Sequence, residues 1–180
     1  MPKLTPAMSR FILHWGEMGS TWGVNRTVAQ IYAILYLSPR PLTAEQISEG
    51  LAVARSTVST GLHELQLWGI VHTVHVLGDR RDHYETIGDT WEMFRAIATE
   101  RKRREIDPTL AALRDSVAGL ESDPAATEYA AERVQEMLEV FETISDVYDQ
   151  VEDVPTATLV RIARLLRGNL VGVVRRVLAR

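Results

Sequence analysis

The sequence predicts a mainly α-helical protein carrying one small β-hairpin, and three observations predict it. Apolar residues recur at helical spacing through most of the chain. One stretch, residues 70–87, switches to β-branched residues on either side of a Gly-Asp-Arg-Arg turn. Beyond Gly88 the helical period returns and persists to the end.

The elements follow in order. Residues 6–18 form a first helix with Phe11, Ile12 and Trp15 on one face, and Gly19 and Gly23 are expected to end it. Asn25 is a good N-cap for a helix over 26–37, whose apolar positions are Val28, Ile31, Ile34, Leu35 and Leu37. The run Ser38-Pro39-Arg40-Pro41 stops it, because proline lacks an N–H and restricts its predecessor. Thr43 with Gln46 makes a capping box and Leu42 with Ile47 a hydrophobic staple, which opens a third helix running to about Ala52. After Val53-Ala54-Arg55, Ser56 is expected to cap a fourth helix with Val58, Leu62 and Leu65 buried, ending at Trp68-Gly69. Residues 70–77 and 82–87 then pair across the turn 78–81.

Helix, short turn, helix and a hairpin with a basic tip make a winged helix-turn-helix. An α-helix fits the major groove of B-DNA and reads base edges with its N-terminal residues. The non-core positions of the fourth helix are Arg55, Ser56, Thr57, Ser59, Thr60, Gly61 and His63, all small, polar or cationic near its start. That surface tolerates phosphates and donates hydrogen bonds, and Gly61 is expected to admit a close approach. Arg80 and Arg81 at the hairpin tip suit a narrow minor groove or its phosphates. Taken singly, a Ser/Thr-rich helix start is a cap and paired arginines are a solvated turn. Their order and spacing together point to double-stranded DNA.

The stretches HWGEMGSTWGVNRTVAQIYAILYLSPRPLTAEQI, ARSTVSTGLHELQLWGIV, HVLGDRRDHYE and ERKRREIDPTLAALR resemble the GbsR-type branch of the MarR-like winged helix-turn-helix transcriptional regulators. The resemblance spans residues 10 to about 117. It implies a bacterial repressor or activator working as a homodimer, with 56–68 as recognition helix and 79–81 as wing tip. It also implies a small-molecule effector, choline-type in some members, although no ligand motif matches residue by residue.

Other constellations read differently. Trp15, Trp22 and Trp91 are candidates to line an effector cavity, since aromatic faces attract quaternary ammonium groups, but core packing is the commoner use of tryptophan. His72 and His75 point to opposite faces of a strand, and no carboxylate or thiolate completes a metal set with His83, which reads as a DNA or surface residue. No nucleophile, base and acid come together, so neither catalysis nor a cofactor is expected. Absence of Cys removes disulfides and thiolate zinc sites, and the apolar stretch 11–15 is too short for a signal peptide. A cytoplasmic protein without a membrane segment is the expectation.

Charge divides the rest. Residues 108–154 are strongly acidic, while 155–180 hold arginines and no acid, so the net charge of −4 is unevenly spread. The run 101–104 reads as a solvated helix paired with Glu100 and Glu105. Pro108 kinks or restarts the helix, and a loop at 122–124 precedes a helix with Val134, Met137, Leu138, Phe141, Ile144, Tyr148 and Val151 along a seam. Glu132, Glu136, Glu139, Glu142, Asp146 and Asp149 flank it. They are complementary to Arg161, Arg164, Arg167, Arg175 and Arg176 of a last helix begun by Pro155. The expected organisation is therefore an N-terminal helix over 1–24 that contributes to dimer contacts and a winged helix-turn-helix over 25–88. A helical dimerisation region with the candidate effector pocket follows over 89–180. The competing reading is a protein-interaction module that keeps the fold without reading DNA.

Overall fold

The computed structural model describes residues 4–166 and divides into two units, Met1–Ile97 and Ala98–Arg180. In the first unit the order is α1 (Pro6–Thr21), α2 (Arg26–Tyr36), β1 (Leu42–Thr43), α3 (Ala44–Leu51), α4 (Arg55–Leu67), β2 (Val71–Val74) and β3 (His83–Thr86), then the start of α5 (Thr90–Arg101). The capping signals act where the sequence puts them. The Asn25 side chain accepts from the Thr27 and Val28 N–H groups at 2.8 and 3.4 Å. Thr43 and Gln46 exchange the two hydrogen bonds of a capping box, at 3.3 and 2.8 Å.

The core gathers on α2, where Val28, Ala29, Ile31, Tyr32, Ala33, Ile34 and Leu35 are all buried. Ile47 of α3, Val58, Leu62 and Leu65 of α4, Ile70 and Met93 complete it. Full burial of such a side chain stabilises by roughly 1.5–3 kcal/mol, so this layer holds α4 in place.

Two glycines, Gly19 and Gly61, behave otherwise than expected. Gly19 does not end α1; the helix continues to Thr21 and Gly23, at φ 74°, follows its end. A Cβ at Gly19 would lie 2.6 Å from the Ala29 Cβ, and one at Gly16 would lie 2.7 Å from Gln30. These are contacts that let α1 close on α2. Gly61 is likewise buried rather than facing outward, and a Cβ there would stand 2.6 Å from Ile31 Cδ1.

The sheet has three antiparallel strands in the order β1-β3-β2, where two were expected. Leu42 pairs with Tyr84 and Thr43 with His83, while β2 pairs Val71 with Thr86 through Val74 with His83. The pairing is shorter than 70–77 with 82–87, leaving residues 75–82 as the wing loop.

In the second unit a π-helical turn, Lys102–Ile106, leads into α6 (Asp107–Ser122), and α7 (Glu128–Glu152) and α8 (Thr156–Leu166) follow. Pro108 occupies the first turn of α6, where its missing N–H costs least, and the widened turn just before it absorbs the break. The basic run is paired within its own helix: Arg101 with Glu105 at 2.9 Å and Arg103 with Glu100 at 2.7 Å. Lys102 reaches Asp107 at 2.9 Å and Asp149 at 3.3 Å. The α7 seam splits. Leu138 is buried, with Val134, Phe141 and Tyr148 half-buried, whereas Met137, Val140, Ile144, Val147 and Val151 are exposed. Arg114 takes Glu142 at 2.9 Å. Arg167, Arg175 and Arg176, and with them most of the expected basic partner of α7, lie outside the described residues.

The glycine contacts give a paired test. Gly19→Ala forces α1 away from α2 and lowers stability by about 1–3 kcal/mol. Gly119→Ala, in α6 with nothing within 4 Å of its added Cβ, raises it by about 0.5–1 kcal/mol. Chemical denaturation of both variants checks the signs; a neutral Gly19→Ala would mean that α1 is loosely docked.

Candidate nucleic-acid interface

The α4 helix presents the expected surface. Arg55, Ser56, Thr57, Ser59, Thr60 and His63 are all exposed, opposite the buried Val58, Leu62 and Leu65. Ser56 is not the cap. Ala54 takes that place with φ −62° and ψ 143°, and it offers no side-chain acceptor to the first-turn N–H groups. The positive end of the α4 dipole is thus unquenched, with backbone N–H groups that need an acceptor from outside the helix. Ala52, in the left-handed region at φ 54°, makes the tight turn from α3 into α4.

Ser56, Thr57 and Thr60 share an open polar groove with Asn25, Thr27 and Glu64. The sequence marked Asn25 only as a cap and did not single out Thr27 or Glu64, because nothing there shows the start of α2 lying alongside α4. A carboxylate such as that of Glu64 accepts hydrogen bonds from amino groups and repels phosphate.

The wing loop is organised by one carboxylate. Asp79 accepts from the Arg81 backbone N–H at 3.0 Å, from Nε at 3.0 and 3.2 Å and from Nη2 at 2.5 Å. These bonds, the side-chain ones first, hold the Asp79 carboxyl well below the usual carboxylate range and raise the Arg81 guanidinium. His83 is buried, not a surface residue. Its Nδ1 lies 3.0 Å from the Arg81 carbonyl and therefore carries the hydrogen, and Nε2 is 3.6 Å from Asp79. Arg80, by contrast, is exposed and has no ionic partner among the described residues. Arg55 pairs with Glu45 at 2.8 Å; the Glu45 carboxyl is lowered first by its own backbone N–H and then by Arg55.

The aromatic candidates separate. Trp15 stacks on Phe11 at 5.5 Å, and both Trp15 and Trp22 meet Phe94, at 6.5 and 6.2 Å. With Trp68 these three border a narrow apolar cleft. Trp91 is 53% exposed and borders no part of it. Phe94 and Trp68 are the members that the sequence did not single out. Among the described residues no cluster of His, Asp and Glu is placed to hold a metal, and no helix is long and apolar enough to cross a membrane.

A three-helix core with a helix-turn-helix and a three-stranded wing defines a winged-helix class of protein. Residues 22–82, about a third of the chain, match the model described as the MarR family. The chain is 27% identical over 88 residues to YvaV of Bacillus subtilis (strain 168), whose name assigns it to the HTH-type transcriptional regulators, covering 49% of this chain and 50% of that protein. It is also 27% identical over 74 residues to the HTH-type transcriptional repressor OpcR of the same organism, covering 41% and 40%. The chain thus spans half or less of the length of these curated relatives. A crystal structure of a transcriptional regulator shares the fold, with a TM-score of 0.58, 22% identity and coverage of 82% of this chain and 96% of that one.

The Asp79 contacts set the pH behaviour of the wing. Its carboxyl is depressed in the folded chain relative to an ordinary value near ~3.9, so the link is present at neutral pH and through pH 4. It is lost only as the pH falls below the ordinary carboxylate range. Amide exchange at Arg81 should stay slow across that span and accelerate in Asp79→Asn. Loosening already at pH 5 in the unsubstituted protein would contradict this arrangement.

Proposed function

We propose that the chain is a sequence-specific DNA-binding transcriptional regulator of the GbsR-type branch, acting in the cytoplasm as a homodimer on a pseudo-palindromic operator and modulated by a small effector. The observation that carries the reading is the exposed, acid-free first turn of α4, uncapped and rising from a buried core, beside a wing whose Arg80 is free. Uncapped N–H groups and a positive dipole end suit phosphate, and short hydroxyl side chains suit base edges. Arg55, Ser56, Thr57, Ser59, Thr60 and His63 take the major groove or its phosphates. Arg80 takes the minor-groove side, while Arg81 shapes the loop that presents it. The names of both relatives support the reading.

In this account residues 25–88 read DNA, and 89–180 form the dimerisation region with help from 1–24. The exposed apolar edge of α7, Met137, Val140, Ile144 and Val147, supports a helical partner there. Two recognition helices one helical turn apart then match an inverted repeat.

Genome-fragment selection with purified protein, followed by titration of the enriched site against scrambled DNA, tests this. The expected result is an inverted repeat bound at least about a thousandfold more tightly than scrambled sequence. Arg80→Ala should weaken both and lower the salt slope by about one. No enriched motif, with residual binding that vanishes in salt, would replace the regulator with a winged-helix interaction module.

A further inference from the structure

The tip of the wing carries an apolar side chain that the fold does not use. Pairing of β2 with β3 ends at Val74 and His83, and beyond it residues 76–79 close a tight turn. The Asp79 N–H donates to the Val76 carbonyl at 3.0 Å, and Gly78 stands third in the turn at φ 85°. Leu77, second in the turn, keeps a negative φ, so the turn is type II and the leucine occupies its outer corner. There it is the most exposed large apolar side chain among the described residues, with Val76 exposed beside it. Corners of turns ordinarily carry small or polar residues. A leucine scattered on a surface is ordinary; one fixed at the apex of the loop that carries Arg80 is not.

The corner is also held. Asp79 binds both the backbone N–H and the guanidinium of Arg81, so Leu77 meets a partner without first being ordered. Charge is not what distinguishes the loop. Over residues 75–82 Arg80 and Arg81 are matched by Asp79 and Asp82, and Asp79 takes up Arg81. What remains is an apolar side chain three residues from an exposed arginine. A membrane surface calls for many cations around its apolar anchor. The minor groove suits one of each: its narrow, negative floor attracts arginine, and its base steps accept an apolar wedge that partly unstacks them and kinks the duplex.

We propose that Leu77 is a DNA wedge: each wing sets it against a base step of the minor groove and bends the duplex there. This rests on the DNA-binding reading above and adds a distortion that contacts from α4 do not require. The cost of parting a step depends on its sequence, being low at pyrimidine–purine steps and high in stiff A-tracts. Leu77 therefore selects sites by their deformability, at positions where the protein makes no hydrogen bond to a base.

The test uses the full chain and the selected DNA site, with dyes at the two duplex ends to read the bend and 2-aminopurine placed step by step to read unstacking. The unsubstituted protein should bend the duplex by at least about 20° per half-site and brighten 2-aminopurine at one step in each. Leu77→Ala removes no packing from the fold, so it should still bind the site but lose most of the bend and the brightening, while Leu77→Phe keeps both. Changing the brightened step to an A-tract step should weaken the unsubstituted protein about tenfold and Leu77→Ala less than about twofold. A straight duplex, an equal bend with Leu77→Ala, or an equal loss in both proteins on changing the step would overturn the wedge and leave the DNA-binding reading standing. Failure to bind any duplex selectively would overturn that reading, and the wedge with it.

Discussion

The packing of α2 between α1 and α4 is the constraint on which the rest of the first unit depends. Seven of its eleven residues are buried, so neighbours must approach from nearly every side. They do so at glycines: Gly16 and Gly19 on α1, and Gly61 on α4 beneath Ile31. The position of α4 is therefore set by a close steric contact as well as by its apolar face. Interiors this tight respond to a single added methyl.

A second coupling runs through Thr43. It is fully buried, caps α3, and pairs in the sheet with His83, which in turn meets the Arg81 carbonyl and faces Asp79. Helix-turn-helix and wing are thus tied by backbone pairing, and the loop that carries Arg80 is shaped by Asp79 from within. Carboxylates on this face, Glu45 and Asp79, hold Arg55 and Arg81 in defined positions. Such exposed pairs add little stability. On the proposed DNA-binding reading, their effect is to pre-set side chains that would otherwise lose rotamer freedom on binding.

Much of this was legible in the sequence. Asn25 and the Thr43–Gln46 pair announce their helices because capping is local chemistry, and the change of period after Gly69 announces the hairpin. What was not legible depends on residues far apart in the chain. Gly19 and Gly61 read as a stop and as a gap because nothing in sequence tells what a Cβ would meet. Strand β1 is only two residues long and coincides with a cap signal. Ser56 reads as a cap because Ala54, the true one, has no side-chain acceptor. The burial of His83 comes from β1, and the exposure of Trp91 from the phase of α5.

The central claim, that α4 and the wing are the surface that meets DNA, is tested most directly by hydrogen exchange of the full chain with and without the selected DNA site. The account predicts protection concentrated in residues 55–63 and 78–81, with little change from a scrambled duplex at the same concentration. Protection absent from both segments and confined to residues 98–166 would contradict it.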